Sequence, residues 1–420
     1  MSAPLASLKD AAWLREGALA RLLAVLNSAG EEARVVGGAV RNALLGEPIV
    51  EFDVATTALP EEVIRRAAAA GFKPVPTGID HGTITVVIDS RPFEVTTLRQ
   101  DVETFGRHAS VRFGRDWRAD AERRDFTMNA LSVGADGVVL DYVGGIADLQ
   151  ARRVRFIGEA RQRIAEDYLR ILRFFRFHAA YGRGLADAAG LAACIAGRAG
   201  FSQLSRERVR MELLKLLLAP HATPALAAMA ESGLLVPVLG GVPDLAGFEN
   251  MAKVEAAAGM QADAVQRLGA LGARIPEDAE RLWQRLRLSN AEHERLKSMS
   301  EAWWRVTPAN EKDARALLYR LGPERFVDRV LLGWSRSWSR ASRAVQDEAW
   351  RALAKLPERW AIPVFPLKAA DFMTRGVPQG PALGAAMHEA EAAWIAADFP
   401  AGQEAIAAIA AAAAAEVRPM

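Results

Sequence analysis

Ala33-Arg34-Val35-Val36-Gly37-Gly38-Ala39-Val40-Arg41-Asn42-Ala43-Leu44-Leu45, closely followed by Val50-Glu51-Phe52-Asp53-Val54-Ala55, is the stretch that decides the fold of the first third of the chain. Ala33 to Val36 is short, apolar and β-branched and reads as a strand, Gly37-Gly38 as its turn, and Ala39 to Leu45 as a helix. A strand that runs through a glycine turn into a helix exposes backbone N–H groups and the positive helix end to an anion. Arg41, in the first helical turn, is placed to grip a phosphate. The same turn is also ordinary scaffolding, so the pair that follows matters. Val50 to Ala55 reads as a strand, which puts Glu51 and Asp53, at i and i+2, on one face. An isolated Glu-x-Asp is often a solvated strand face. Behind a glycine turn it is also the donor set for Mg²⁺ in phosphoryl transfer, where carboxylates hold metal against the attacking and leaving oxygens.

Outward from this core, Thr83 to Asp89 and Phe93 to Leu98 read as further strands, and Glu94, alone among apolar and hydroxyl neighbours, is a candidate third metal ligand. Arg99 to Glu122 is charged, holds Gly106 and Gly114 and shows no apolar period, so a mobile loop is expected there. Arg123-Arg124-Asp125-Phe126-Thr127-Met128-Asn129 follows. Its adjacent arginines suit a triphosphate and Asp125 suits a ribose hydroxyl, although a charged turn before a core segment has the same composition. Ile164 to Phe177 has helical period. Glu166, Asp167, Arg170 and Arg173 fall on one face and Ile164, Tyr168, Ile171, Leu172 and Phe175 on the other. Such charges serve as surface ion pairs, or Asp as acceptor and Arg as donor read the edge of a nucleobase. Arg206 to Leu218 forms a further amphipathic helix.

The whole chain has 420 residues, about half of them hydrophobic, enough for two to four domains with a sizeable core. After Arg161 nearly everything has helical period, so an α+β head on an all-helical remainder is expected. Cys194 is the single cysteine, which excludes an intramolecular disulfide. The first residues lack a secretory layout and no apolar run reaches about 20 residues, which points to the cytoplasm and away from a membrane. Net charge is only +2, but arginine dominates the basic residues and favours forked contacts to phosphate. Trp334 and Trp338, among arginines, are expected to pack between helices rather than clamp RNA.

Taken in order, VVGGAVRNALLG, EFDVATT, RRDFTMNALS, DYVGGIADL and EDYLRILRFFRF resemble the successive motifs of class II CCA-adding tRNA nucleotidyltransferases and the related bacterial poly(A) polymerases, over about Arg34 to Leu218. Pro378-Gln379-Gly380-Pro381 resembles a turn of the family's tail. The resemblance implies a nucleotidyltransferase head (1–150), a helical neck that binds the base (151–218), a helical body (219–355) and a tail that binds tRNA (356–420). It implies Mg²⁺ held by Glu51 and Asp53, and a nucleotide site formed by Gly37, Gly38, Arg41, Arg124, Asp125, Asp167, Arg170, Arg173 and Arg176, with Asp167 and Arg170 reading the base. The implied partners are the tRNA 3′ end, CTP and ATP. Two positions depart from the pattern: Glu51 stands where the family has the first aspartate of Asp-x-Asp, and Asn42 where an aspartate follows the motif arginine. Thr77 to Val86 resembles the CCA-adding pattern, whereas the poly(A) polymerases have a more basic strand there. Poly(A) polymerase, CC-only or A-only addition, and a non-catalytic RNA-binding relative are the alternatives. The absence of a His-Asp dipeptide argues against a phosphohydrolase module.

Overall fold

The structure, a computed structural model, describes residues 7–105, 108–308, 310–338 and 343–417. It forms two units, Met1–Val238 and Leu239–Met420. The first unit contains β1 (Ala33–Val36), β2 (Asp53–Thr56), β3 (Lys73–Gly78), β4 (Thr83–Ile88), β5 (Arg91–Thr97), β6 (Arg99–Phe105), β7 (His108–Phe113), β8 (Ser132–Val133) and β9 (Val139–Leu140). Seven of these make one sheet in the order β3-β4-β5-β2-β1-β8-β9, and β6 and β7 pair as a separate hairpin. Only β2 and β5 run parallel. Period-2 patterning sets the core face: Ile84, Val86 and Ile88 of β4 are buried while the alternate residues are only partly covered.

Register is what positions chemistry. Val36, the last residue of β1, pairs with Asp53, the first of β2, and Asp53 pairs in turn with Glu94 of β5. The chain leaves β1 at Gly37 and enters helix α1 (Gly38–Leu45), so the glycine turn begins beside the Asp53 carboxylate. Two expectations are corrected here. The strand expected over Val50 to Ala55 starts only at Asp53, because β1 has already turned away at Gly37 and leaves Glu51 no ladder partner. Glu51 and Asp53 are therefore neighbours at a strand entrance rather than i, i+2 positions within a strand. Arg99 to Glu122, expected as a loop without structure, holds the β6–β7 hairpin and helix α2 (Trp117–Glu122). Asp116 caps that helix, accepting from the N–H groups of Arg118 and Ala119 at 2.9 and 3.2 Å. Gly106, at the tip of the expected loop, lies outside the described residues.

The remainder of the first unit is dominated by helices, including α3 (Ala160–Glu166), α4 (Leu169–Tyr181) and α5 (Arg206–Leu217). Helical period suggested one helix through Ile164 to Phe177, but the chain breaks at Asp167, whose backbone is extended. The physical reason is local: the Asp167 carboxylate accepts from the Leu169 N–H at 3.1 Å, a side-chain bond that competes with the helical ladder and starts α4 afresh. An aromatic cluster joins α4 to the segments before it. Phe156 stacks on Phe174 at 5.5 Å, and Phe126 lies 4.9 Å from Phe156 and 5.3 Å from Phe177.

Every described regular element of the second unit is helical, among them α6 (Leu245–Ala258) and α7 (Pro323–Ser337). Trp334 is fully buried in α7, stacks on Trp350 and donates to Asp347 at 3.1 Å, so it packs between helices as expected. No helix of the described residues is long and apolar enough to cross a membrane.

Candidate functional site

A cleft of about 740 Å³ in the first unit is lined by all eleven residues singled out from sequence: Gly37, Gly38, Arg41, Glu51, Asp53, Arg124, Asp125, Asp167, Arg170, Arg173 and Arg176. Eight cationic side chains face it against four carboxylates. An excess of that sign in a concave site attracts a polyanion and raises its local concentration.

The cations are held by one continuous network. Arg41 in α1 is buried, donates to Tyr181 Oη at 2.7 Å, to Asn42 Oδ1 at 2.9 Å and to Asn129 Oδ1, and lies 3.9 Å over the Tyr181 ring. Asn129 in turn donates to Asp125 at 3.2 Å, Asp125 accepts from Arg173 Nε at 2.7 Å, and buried Glu212 of α5 accepts from Arg173 at 3.4 Å and Arg176 at 2.5 Å. Burial works to raise the Asp125 carboxyl, but the Arg173 guanidinium and the Asn129 and Phe126 donors hold it below the usual range. Burial pushes Arg41 down, and among the described residues it has no ion pair to a carboxylate. Its direct partners are neutral, which leaves its charge for a ligand. The Phe177 ring lies within 5.4, 5.3 and 4.2 Å of Arg41, Arg173 and Arg176, so one phenyl fixes three guanidiniums.

Gly37 has φ +71°, and a Cβ there would come within 3.3 Å of Arg124 Nη1. Gly38 has no such constraint, and a Cβ on it would meet Arg41 Nη2 at an ordinary 3.5 Å. Gly37→Ala is expected to lose about 1–3 kcal/mol of stability in denaturant unfolding and to weaken nucleotide binding, with Gly38→Ala much closer to wild type. Equal midpoints for the two variants would refute the requirement at Gly37. Arg123 and Arg124 share buried Asp120, with Arg123 at 2.6 Å and Arg124 at 3.2 Å.

Glu51 and Asp53 line the cleft, and Glu94 lines a smaller depression of about 230 Å³ that shares Asp53. Packing strips water from part of the Asp53 carboxylate and Glu51 and Glu94 add like charge, so its pKa is raised. Among the described residues no three His, Cys, Asp or Glu side chains form a preformed cage. The donor set still fits Mg²⁺, which is commonly held by one or two carboxylates plus substrate phosphates, and mutual repulsion of these carboxylates is what a divalent cation relieves.

Asp167 and Arg170 both face the cleft but are tied to other partners. Asp167 forms a forked pair with Arg208 of α5 at 2.6 and 3.2 Å, while Arg170 Nη1 bonds Glu166 at 2.5 Å and the Arg163 carbonyl at 2.6 Å. Sequence reasoning missed Arg208, Glu212, Asn129, Phe177 and Tyr181. Phe177 and Tyr181 were findable, since they continue the Arg173 face at helical spacing. Arg208 and Glu212 carry no local signal, because they sit on another helix about 40 residues away.

A family model described as the poly A polymerase head domain matches residues 33–155, and one described as a probable RNA and SrmB-binding site of polymerase A matches residues 199–248. The chain is 35% identical over 386 residues to the CCA tRNA nucleotidyltransferase 1, mitochondrial, of Danio rerio, covering 86% of this chain and 83% of that protein. It is 32% identical over 369 residues to the CCA-adding enzyme of Limosilactobacillus fermentum, covering 87% and 89%. The Bacillus stearothermophilus CCA-adding enzyme in complex with CTP has the same fold, with a TM-score of 0.74, 28% identity and coverage of 93% of this chain and 95% of that one.

Proposed function

The chain belongs to the family of class II CCA-adding tRNA nucleotidyltransferases, and from that premise we infer that it completes the 3′ end of tRNA by adding C, C and A from CTP and ATP, with Mg²⁺ as cofactor and pyrophosphate as leaving group. The carrying observation is the cleft in which a carboxylate pair, an arginine set and the Asp167 and Arg170 side chains meet.

In this reading the triphosphate lies along the glycine turn, with Arg41 and Arg124 on its phosphates and Arg173 and Arg176, fixed by Glu212 and Phe177, farther along. Asp125 faces the ribose. Asp167 and Arg170 read the base. Glu51 and Asp53 would hold Mg²⁺, which would supply Lewis-acid assistance to the RNA 3′ hydroxyl and to the leaving pyrophosphate. Glu51 stands in the loop before β2, free of the ladder, so its longer side chain could reach a metal shared with Asp53. The head (1–150) and neck (151–218) both fall within the first unit, the proposed body (219–355) begins in the first unit and continues in the second, and the tail (356–420), in the second unit, would supply tRNA contacts. The complete pair Glu51 and Asp53 favours catalysis over a purely RNA-binding role.

The test is tRNA lacking its last three residues, incubated with each triphosphate in turn. CTP alone should add two residues, CTP with ATP three, and ATP alone none. A long A tract from ATP alone would instead make the chain a poly(A) polymerase, and an arrest after CC with both present would make it a CC-only enzyme.

A further inference from the structure

The second unit contains a pocket of about 260 Å³ between the start of α6, Arg274, Trp303 and the end of α7. Arg336 lines it with its guanidinium 4.3 Å over the Trp303 ring. Its Nη2 donates to the Ala273 carbonyl at 2.6 Å, but Nε and Nη1 are enclosed and have no hydrogen-bond partner among the described residues. Arg274 lies beside it, largely exposed, and the only carboxylate lining the pocket, Asp244, is committed at both oxygens: one accepts from Gly247 N–H at 2.8 Å and the other from Arg274 at 2.7 Å. Asn250 adds an amide that donates to the Ser335 carbonyl at 3.2 Å and has an acceptor oxygen besides. The first turn of α6, a 14-residue helix, contributes its positive end. Burial and the Arg274 charge push Arg336 down to about 10, so a bound anion would relieve an existing electrostatic cost. At the rim Trp304, set edge-on to Trp303, is 59% exposed. It offers a base a stacking face next to the cationic pocket.

We propose that Arg336 and Arg274 form a phosphate site for an RNA strand in the second unit, with Trp304 stacking the adjoining base. The site rests on the reading that tRNA is the substrate. Two pieces of chemistry select this ligand: orphaned guanidinium N–H groups need acceptors, and a flanking indole distinguishes a nucleotide chain from a small anion.

The experiment measures the affinity of tRNA lacking its 3′ end for wild type, Arg336→Gln, Arg274→Gln and Trp304→Ala from low to moderate salt, with CTP binding and inorganic phosphate binding recorded alongside. Loss of one phosphate contact should weaken tRNA binding about three- to fivefold near 0.15 M salt and reduce the salt slope by about 0.7–0.9. Trp304→Ala should weaken binding with the slope unchanged, and CTP binding should stay at the wild-type value in all three. Arg274 is largely exposed, so its variant keeps the test available if Arg336→Gln fails to fold. Wild-type tRNA affinity and slope in folded Arg274→Gln and Arg336→Gln would overturn the proposal. So would inorganic phosphate binding that both arginine variants abolish while tRNA affinity is untouched, since the pocket would then serve a free anion. Failure of wild type to extend tRNA would instead overturn the functional reading, and the binding data separate the two.

Discussion

Asp53→Ala is expected to abolish incorporation of both CTP and ATP, by on the order of a thousandfold or more, while leaving the protein folded. The size follows from the several kcal/mol of transition-state charge that a catalytic metal stabilises, each 1.36 kcal/mol being about tenfold in rate. The retained fold follows from the structure, because the Asp53 side chain opens on the cleft and already suffers like charge from Glu51 and Glu94. Removing it relieves repulsion, so the thermal midpoint should hold or rise slightly. A chelator should reproduce the loss in wild type and added Mg²⁺ should reverse it. Substantial activity in folded Asp53→Ala, or activity untouched by chelation, would remove the carboxylates from the chemistry.

The second large effect concerns selectivity. Cytosine and adenine each present an exocyclic amine beside a ring-nitrogen acceptor, whereas uracil and guanine present a carbonyl beside an N–H. Asp167 accepting and Arg170 donating suit the first pair and oppose the second. Each unpaired buried group costs about 1–3 kcal/mol, so two mismatches together give discrimination of roughly 30-fold to 25,000-fold. The supports of these two residues decide whether the reader stays fixed. Arg208 grips both Asp167 oxygens; Oδ1 also accepts from the Leu169 N–H, so it is Oδ2 that keeps a lone pair for an incoming amine, and the bonds of Arg170 to Glu166 and to the Arg163 carbonyl both go through Nη1 among the described residues. Asp167→Ala and Arg170→Ala should lower the rate and admit UTP and GTP. Arg208→Ala, which frees Asp167 without removing it, should relax selectivity less and raise KM for both correct nucleotides. If Asp167→Ala and Arg170→Ala slow the enzyme yet still reject UTP and GTP as wild type does, base reading lies elsewhere in the cleft.

What was legible in the sequence was what rests on local signals. The Gly37-Gly38 turn, the helix after it and the α4 helix follow from backbone chemistry and period, and the motif order carried eleven residues into one cleft. The errors arose where a missing ladder, a short-range side-chain bond or a separate pairing overrules the periodic pattern. Glu51 has strand-like neighbours but no ladder, since β1 ends at Val36. Asp167 lies in a helical period, yet its carboxylate bonds the Leu169 N–H and breaks the helix. The β6–β7 segment lacks an apolar period because it pairs as a separate two-stranded hairpin outside the main sheet. Arg208 and Glu212 are ordinary helix residues until α5 lies against α4, and only the fold shows that they pair with Asp167 and with Arg173 and Arg176.

One cleft should serve both nucleotides, and a displacement titration measures this. CTP should bind once per chain in the presence of Mg²⁺, ATP should displace it competitively, and Arg41→Met should weaken both to the same degree. Two independent sites, with CTP and ATP bound together on one chain, would contradict the account.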